Sequence, residues 1–239
     1  MDNVKEKLLN ALKEHKELWE WIRRLDDGVG TYEEVSRIAE LTGDEVVKGL
    51  APYSEEYLTE YMVAAHSIIA DAGVVAQQNL NDAAKIGLKP MTTKYPRSKV
   101  RQLAEKVAQT APETVPAVLK NAVPTLTMSM VDDIVEYNAD FQAKAGLKPI
   151  IVRTWSGSYP SHDTKHTDWC YDLAGTYEYG TEPKRVYARH EGCRCTVEYF
   201  PDRSAKGRIT ALSKGEVDRE SVLWNTRAET LEKRLRKHR

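Results

Sequence analysis

Over the first 145 positions apolar residues recur mostly every three or four, the period of helices with one buried face. Residues 2–25 read as one amphipathic helix, with Val4, Leu8, Leu12, Trp19, Ile22 and Leu25 near one side. Gly28 and Gly30 break it. Thr31 followed by Glu34 is the signature of a capping box, so a second helix is predicted through Leu41. Thr42-Gly43 then divides it from a short helix ending near Leu50. The outline is that of a helix-turn-helix, but the second helix is not basic, so the pair reads as core rather than as a reader of DNA.

Ser54 caps a long helix predicted over residues 55–86, with Leu58, Met62, Ala65, Ile69, Ala72 and Ala76 on its buried stripe. His66 lies beside that stripe and reads as a packed or hydrogen-bonded histidine. Gly87-Leu88-Lys89-Pro90 is a stop signal in which glycine takes the left-handed turn and proline forbids continuation. The same device recurs at Gly146-Leu147-Lys148-Pro149, and helix-ending chemistry explains it without an internal repeat. Pro96 opens a helix to about Gln109, with Val100, Leu103, Ala104 and Val107 inward. Pro112, Pro116 and Pro124 predict a broken connection, followed by a helix over residues 125–145 that buries Leu126, Met130, Ile134 and Phe141.

After Pro149 the period changes. Ile150 to Thr154, Thr176 to Tyr179 and Cys195 to Tyr199 are rich in β-branched and aromatic residues and read as strands. Residues 162–173 read as a short helix stopped by Gly175. Pro201 to Lys214 is polar, and a last helix runs from Val217, with Val217, Ser221, Trp224, Ala228, Leu231 and Leu235 in a heptad-like seam. Its basic finish, residues 233–239, complements the helix dipole or offers a phosphate contact. The expected fold is mainly α. A helical body over residues 1–149 is followed by a small α+β module over 150–200, clamped by Cys and His, and then by a linker and C-terminal helix over 201–239. About 50 residues make a poor core alone, and a metal clip would supply what that core lacks.

The chemistry is concentrated in that module. All three cysteines, Cys170, Cys193 and Cys195, and four of the six histidines fall after residue 160. In a strand, side chains two apart share a face, which would aim Cys193 and Cys195 the same way. In a helix, His162, His166 and Cys170 would form one stripe. Tetrahedral zinc takes Cys and His ligands, and structural sites use four of them. The best four are Cys170, His190, Cys193 and Cys195, with His166 the first substitute. Two other readings stand beside it: buried thiols packing as small hydrophobes, and a disulfide from Cys170 to either partner. An odd cysteine count without a secretory signal disfavours the disulfide.

Composition narrows the function classes. A formal net charge of −1 leaves no global basic field for nucleic acid, and the mean hydropathy of −0.57 fits a helix-rich chain with a solvated surface. No apolar run approaches the ~20 residues of a membrane helix. The opening Met-Asp-Asn-Val lacks a secretion-signal layout, so the expectation is cytosolic folding with reduced thiols and no membrane partner.

The residues Asp168-Trp-Cys-Tyr-Asp-Leu-Ala-Gly-Thr-Tyr-Glu-Tyr179, then Pro183, then Val186-Tyr-Ala-Arg-His-Glu-Gly-Cys-Arg-Cys-Thr-Val197 resemble a known signature. It is the carboxy-terminal signature of phage minor head proteins of the Mu F-like group, which end in His-x2-Cys-Arg-Cys. The resemblance covers roughly residues 125–200, and the helical remainder only in general character. Relatives often carry further cysteines just before the position of Cys170, where this chain has His166 and Thr167. It implies a structural virion protein in head morphogenesis, in the capsid interior or at the portal vertex, made in the host cytoplasm. The implied partners are the portal protein and the major capsid protein or scaffold, with DNA as a further contact.

The competing reading is a zinc-dependent hydrolase or nuclease delivered with the virion. Catalytic zinc needs an open position and a nearby acid or base. Asp163, Asp168 and Glu191 are the near candidates, and cysteine-rich ligation fills the shell. No Ser-His-Asp pattern, phosphate loop or His-Glu-x2-His helix occurs, so the expectation is not an enzyme.

Overall fold

The first helix predicted from the sequence is two helices, α1 (Asp2–Lys13) and α2 (Lys16–Asp26), separated by an extended His15. These elements come from a computed structural model that describes residues 2–51, 53–156 and 169–201. The break resets the apolar face, so Leu18, Ile22 and Leu25 are buried while Trp19 is 41% exposed. Its indole instead donates to the carbonyl of Lys13 (3.0 Å), one of the groups that a helix end leaves unpaired.

Gly28, at φ +77°, turns the chain toward α3 (Tyr32–Gly49). The predicted capping box is present: Thr31 accepts from the backbone of Glu33 (3.2 Å), and Glu34 accepts from the backbone of Thr31 (2.7 Å). The predicted turn at Thr42-Gly43 is absent. α3 runs straight through it, with Gly43 packed against the backbone of α6 (Val115–Lys144). A Cβ there would come within 2.6 Å of the Cα of Pro124. The helix-turn-helix outline therefore dissolves. Pro124 likewise does not break a helix: it sits inside α6, buried on the bare backbone at Gly43. The broken connection shrinks to one 3-10 turn, Pro112–Thr114.

Ser54 caps α4 (Glu55–Ala83), accepting from the backbone of Tyr57 (3.0 Å), and the whole predicted stripe is buried. Its end differs from expectation. Lys85, not Gly87, takes the left-handed conformation (φ 57°), and Ile86 donates back to the carbonyl of Asn81 (2.8 Å). At the second stop signal Gly146 does take it (φ 87°), with Leu147 donating to the carbonyl of Gln142 (3.1 Å). Between α4 and α6, α5 (Arg97–Ala108) buries the four residues expected.

The later part holds β1 (Ile150–Thr154), α7 (Trp169–Asp172), β2 (Gly175–Glu178) and β3 (Thr196–Phe200). The strands form an antiparallel sheet in the order β2-β1-β3. In register, Ile151 faces Tyr199 and Arg153 faces Val197, all buried. One hydrophobic cluster runs from the helices into Ile150, Ile151, Val186, Val197, Tyr199 and Phe200.

A buried polar network stitches the same seam. Tyr199 donates to Gln142 of α6, Gln142 to Asn81 of α4 (2.8 Å), Gln77 to Asn81 (2.9 Å) and Tyr32 to Gln77 (2.8 Å). Polar groups this deep stay only when partnered, and these hold sheet and helices in one register. The expected fold class is what the chain adopts: mainly helical, with a small sheet and a Cys/His cluster in its later part. No described helix is long and apolar enough to cross a membrane. The expected C-terminal helix lies outside the described residues, as do His162, Asp163, His166 and Asp168.

Candidate metal centre

Three short pieces of backbone bring the ligands together. Helix α7 presents Cys170. A turn made by Gly192, at φ +78°, folds Cys193 back so that its N–H donates to the carbonyl of His190 (3.1 Å). The same Gly192 donates to Thr125 of α6 (2.9 Å), which fixes the turn on the helical body. Cys195 follows just before β3, so the two thiols two apart do reach one place, though from a loop rather than a strand.

Cys170, Cys193 and Cys195 are free thiols, all buried and packed in one cluster under Trp169. The Sγ atoms of Cys170 and Cys193 lie 3.6 Å apart, which is no disulfide. One ligand atom each from Cys170, His190 and Cys193 falls within 4.8 Å of the others. Tetrahedral zinc with Zn–S of about 2.3 Å would hold two sulfurs about 3.8 Å apart, so the observed spacing fits such an ion with little movement. Nδ1 of His190 lies 3.0 Å from the carbonyl of Glu191. A carbonyl only accepts, so Nδ1 carries the proton and Nε2 keeps the lone pair that a metal takes. Trp169 meets that ring edge-on at 5.6 Å. Of the expected ligands, Cys170, His190 and Cys193 form the close group, Cys195 shares their cluster, and His166 lies outside the described residues.

The thiols perturb one another. Hydrogen bonds with Cys193 and Cys195 push the Cys170 thiol up, and those from Cys170 and Cys193 pull Cys195 down. Sulfurs this close cannot all ionise unless a cation compensates them.

Two buried arginines surround the cluster, and neither is legible as a site residue from the sequence. Nη2 of Arg153 points at the sulfurs of Cys170 (3.2 Å) and Cys193 (3.8 Å) and donates to the carbonyl of Ala188 (3.1 Å); Nη1 donates to Val186. Arg189 grips Asp132 of α6 through Nε and through Nη2 (2.7 Å), and its Nη1 donates to the carbonyl of Cys195 (2.6 Å). Burial pushes the Asp132 carboxyl up against the pull of Arg189, while pairing with Asp132 holds the guanidinium charged despite its burial. One signal was available: Asp132 stands on the apolar face of α6, with Met128 four residues before it and Val135 three after.

Of the three acidic candidates only Glu191 is among the described residues, and it is engaged away from the sulfurs. Glu191 pairs with Lys106 at the surface (2.7 Å). The histidines of the helical body are engaged elsewhere, His15 with Glu45 (2.9 Å) and His66 edge-on to Tyr95. Compared with known proteins, the chain matches no family model, no curated protein and no solved structure.

Proposed function

We propose that the chain is a structural minor capsid protein acting in phage head assembly near the portal, and that its Cys/His cluster holds one structural zinc. The observation that carries this reading is the meeting of Cys170 with His190 and Cys193. The residues that carry the sequence resemblance are the ones that converge. Cys195 is the nearest candidate for a fourth ligand and His166 its alternate. Bound zinc would compensate the crowded thiolates and add folding free energy. The chain's own residues would do the rest: Arg153 offsets thiolate charge, Arg189 fixes the Cys195 loop on α6, and Trp169 excludes water. The portal protein and the major capsid protein or scaffold are the partners this reading implies, with packaged DNA as a further contact.

Complementation of a phage deleted for the protein tests it. Cys193→Ser should lower particle yield and plating through misfolding. Asp163→Asn, Asp168→Asn and Glu191→Gln together should leave both nearly intact, because a filled zinc shell activates no water. Normal particles that fail to infect after the carboxylate changes alone would favour the delivered hydrolase or nuclease.

A further inference from the structure

Pro90 and Pro96 keep residues 86–96 out of any helix, and the stretch runs as irregular chain from the end of α4 to the start of α5. It is nevertheless pinned to the helical body. Asn81 of α4 donates to the carbonyl of Leu88 (2.7 Å), and Asn138 of α6 both accepts from the N–H of Met91 (2.9 Å) and donates to its carbonyl (2.9 Å). Tyr95 meets His66 edge-on (5.8 Å), and Lys99, just inside α5, pairs with Asp133 of α6 (2.7 Å). Asn81 and His66 both belong to α4, fifteen residues apart, so the segment is laid back along that helix over about 22 Å.

The charge it carries outward is of one sign. From Lys85 to Arg101 there are six cations and no carboxylate, in a chain whose formal net charge is −1. Lys99 and Arg101 are spent on Asp133 and Glu105. Lys85, Lys89, Lys94 and Arg97 are exposed, and no carboxylate among the described residues pairs with them. Carboxylates on the neighbouring turns of α4 and α6 are engaged elsewhere: Asp82 accepts from Gln78 (2.7 Å), and Asp140 pairs with Lys144 (2.6 Å). Apart from Gly87, the exposed residues between the cations are Thr92 and Ser98, and no large apolar side chain of this stretch is exposed.

We propose that the segment from Lys85 to Arg97 is a surface for the phosphate backbone of double-stranded DNA, bound without regard to sequence. Its composition selects that partner. Docking on a protein or a membrane uses exposed apolar and aromatic side chains, and single-stranded nucleic acid uses aromatic faces for its bases. Cations and hydroxyls on a fixed backbone match the phosphate oxygens of a duplex. A row of about 22 Å spans about six phosphates of one strand, at about 3.4 Å of axis each, so each of the four free cations meets one. The proposal gives a surface to the DNA contact named above, on which it rests for its partner, and it involves neither the thiols nor an ion.

Fluorescence anisotropy of the full chain with labelled duplexes of about 25 base pairs tests it. The expected Kd is about 100 µM or tighter at about 150 mM salt and equal for two unrelated sequences, with log K falling against log salt at a slope of about −3.6. Lys89→Gln, Lys94→Gln and Arg97→Gln together should weaken binding at least about tenfold at about 50 mM salt and flatten the slope by about 2.7. The same change at Lys7, Lys16 and Arg23, exposed cations set among glutamates on α1 and α2, should leave both unaltered. All six side chains are exposed, so melting temperature and metal content should hold in both variants. No binding with protein at about 100 µM and salt at about 50 mM overturns the proposal. So does an equal loss in the α1–α2 variant, or a loss seen only when Lys233, Arg234 and Arg236 are changed, which moves the contact to the terminal basic run. Tighter binding to vesicles of equimolar phosphatidylcholine and phosphatidylserine, lost in the Lys89, Lys94 and Arg97 variant, overturns it in favour of a membrane surface. Particle yield and metal content read the capsid and zinc proposals separately, so failure here is distinct from failure there.

Discussion

The helical body and the Cys/His corner are both buried, but they are held together by different means. In the body, α3, α4 and α6 interlock through large apolar side chains such as Leu58, Met62, Ile69, Val131 and Ile134. Gln77, Asn81, Asn138 and Gln142, deep within it, are bonded to one another or to backbone. The corner is filled by three thiols, two arginines and one tryptophan. Small thiols supply little apolar area, and buried charges are costly unless paired. A corner built this way needs something beyond the hydrophobic effect, and a cation among the sulfurs would provide it.

The largest expected effect lies where the two regions join. Asp132→Ala strands the buried Arg189 guanidinium and should cost about 3–5 kcal/mol in urea unfolding. Adding Arg189→Met should restore much of that loss. If the double variant is no more stable than the single, the pair is not the seam described here.

Gly43→Leu tests the body alone. It drives a side chain into the backbone at Pro124 and should cost about 1–3 kcal/mol or more. Metal content should not change. A stable Gly43→Leu variant would mean that α3 and α6 do not meet as closely as described.

Arg153→Met tests the corner alone. Outer-shell changes of this kind weaken metal binding about 10- to 100-fold, and competition with a zinc chelator would read it. The helical far-ultraviolet signal should remain. Unchanged affinity would show that the Arg153 contact with sulfur is incidental.

The smallest effect concerns His66, packed against Tyr95 and pushed below its ordinary pKa of 6.5 by burial. A depressed histidine contributes stability above the unfolded pKa, and that stability is lost as pH falls toward the folded value. His66→Gln should therefore flatten the decline in urea midpoint between about pH 7.5 and 5.5 without touching metal binding. An equally steep decline in the variant would place the acid sensitivity elsewhere.

Much of the body was legible in local chemistry. Thr31 with Glu34, Ser54, and the limits of α5 all follow from capping and periodicity. The differences have two causes. Gly43 and Pro124 read locally as breakers, yet each is tolerated inside a helix because the other is there. Trp19 read as core because its spacing fits a helix that His15 interrupts. In the corner, residue type alone marked Cys170, His190, Cys193 and Cys195, since few other residues bind soft metals. Arg153, Arg189 and Asp132 escaped because a charged residue is usually outward, and only the fold reveals that Arg189 pairs with Asp132 in the interior and that Arg153 turns in on the sulfurs.

If the corner is a metal clamp, as proposed, the purified chain carries its ion. Elemental analysis of the full chain, purified without a histidine tag and compared before and after exhaustive chelation, tests it most directly. About one zinc per chain is expected, with residues 186–195 and α7 losing hydrogen-exchange protection on chelation while α3, α4 and α6 keep theirs. Protein that carries no metal, takes none up when zinc is added, and protects the corner equally with and without chelator would contradict it.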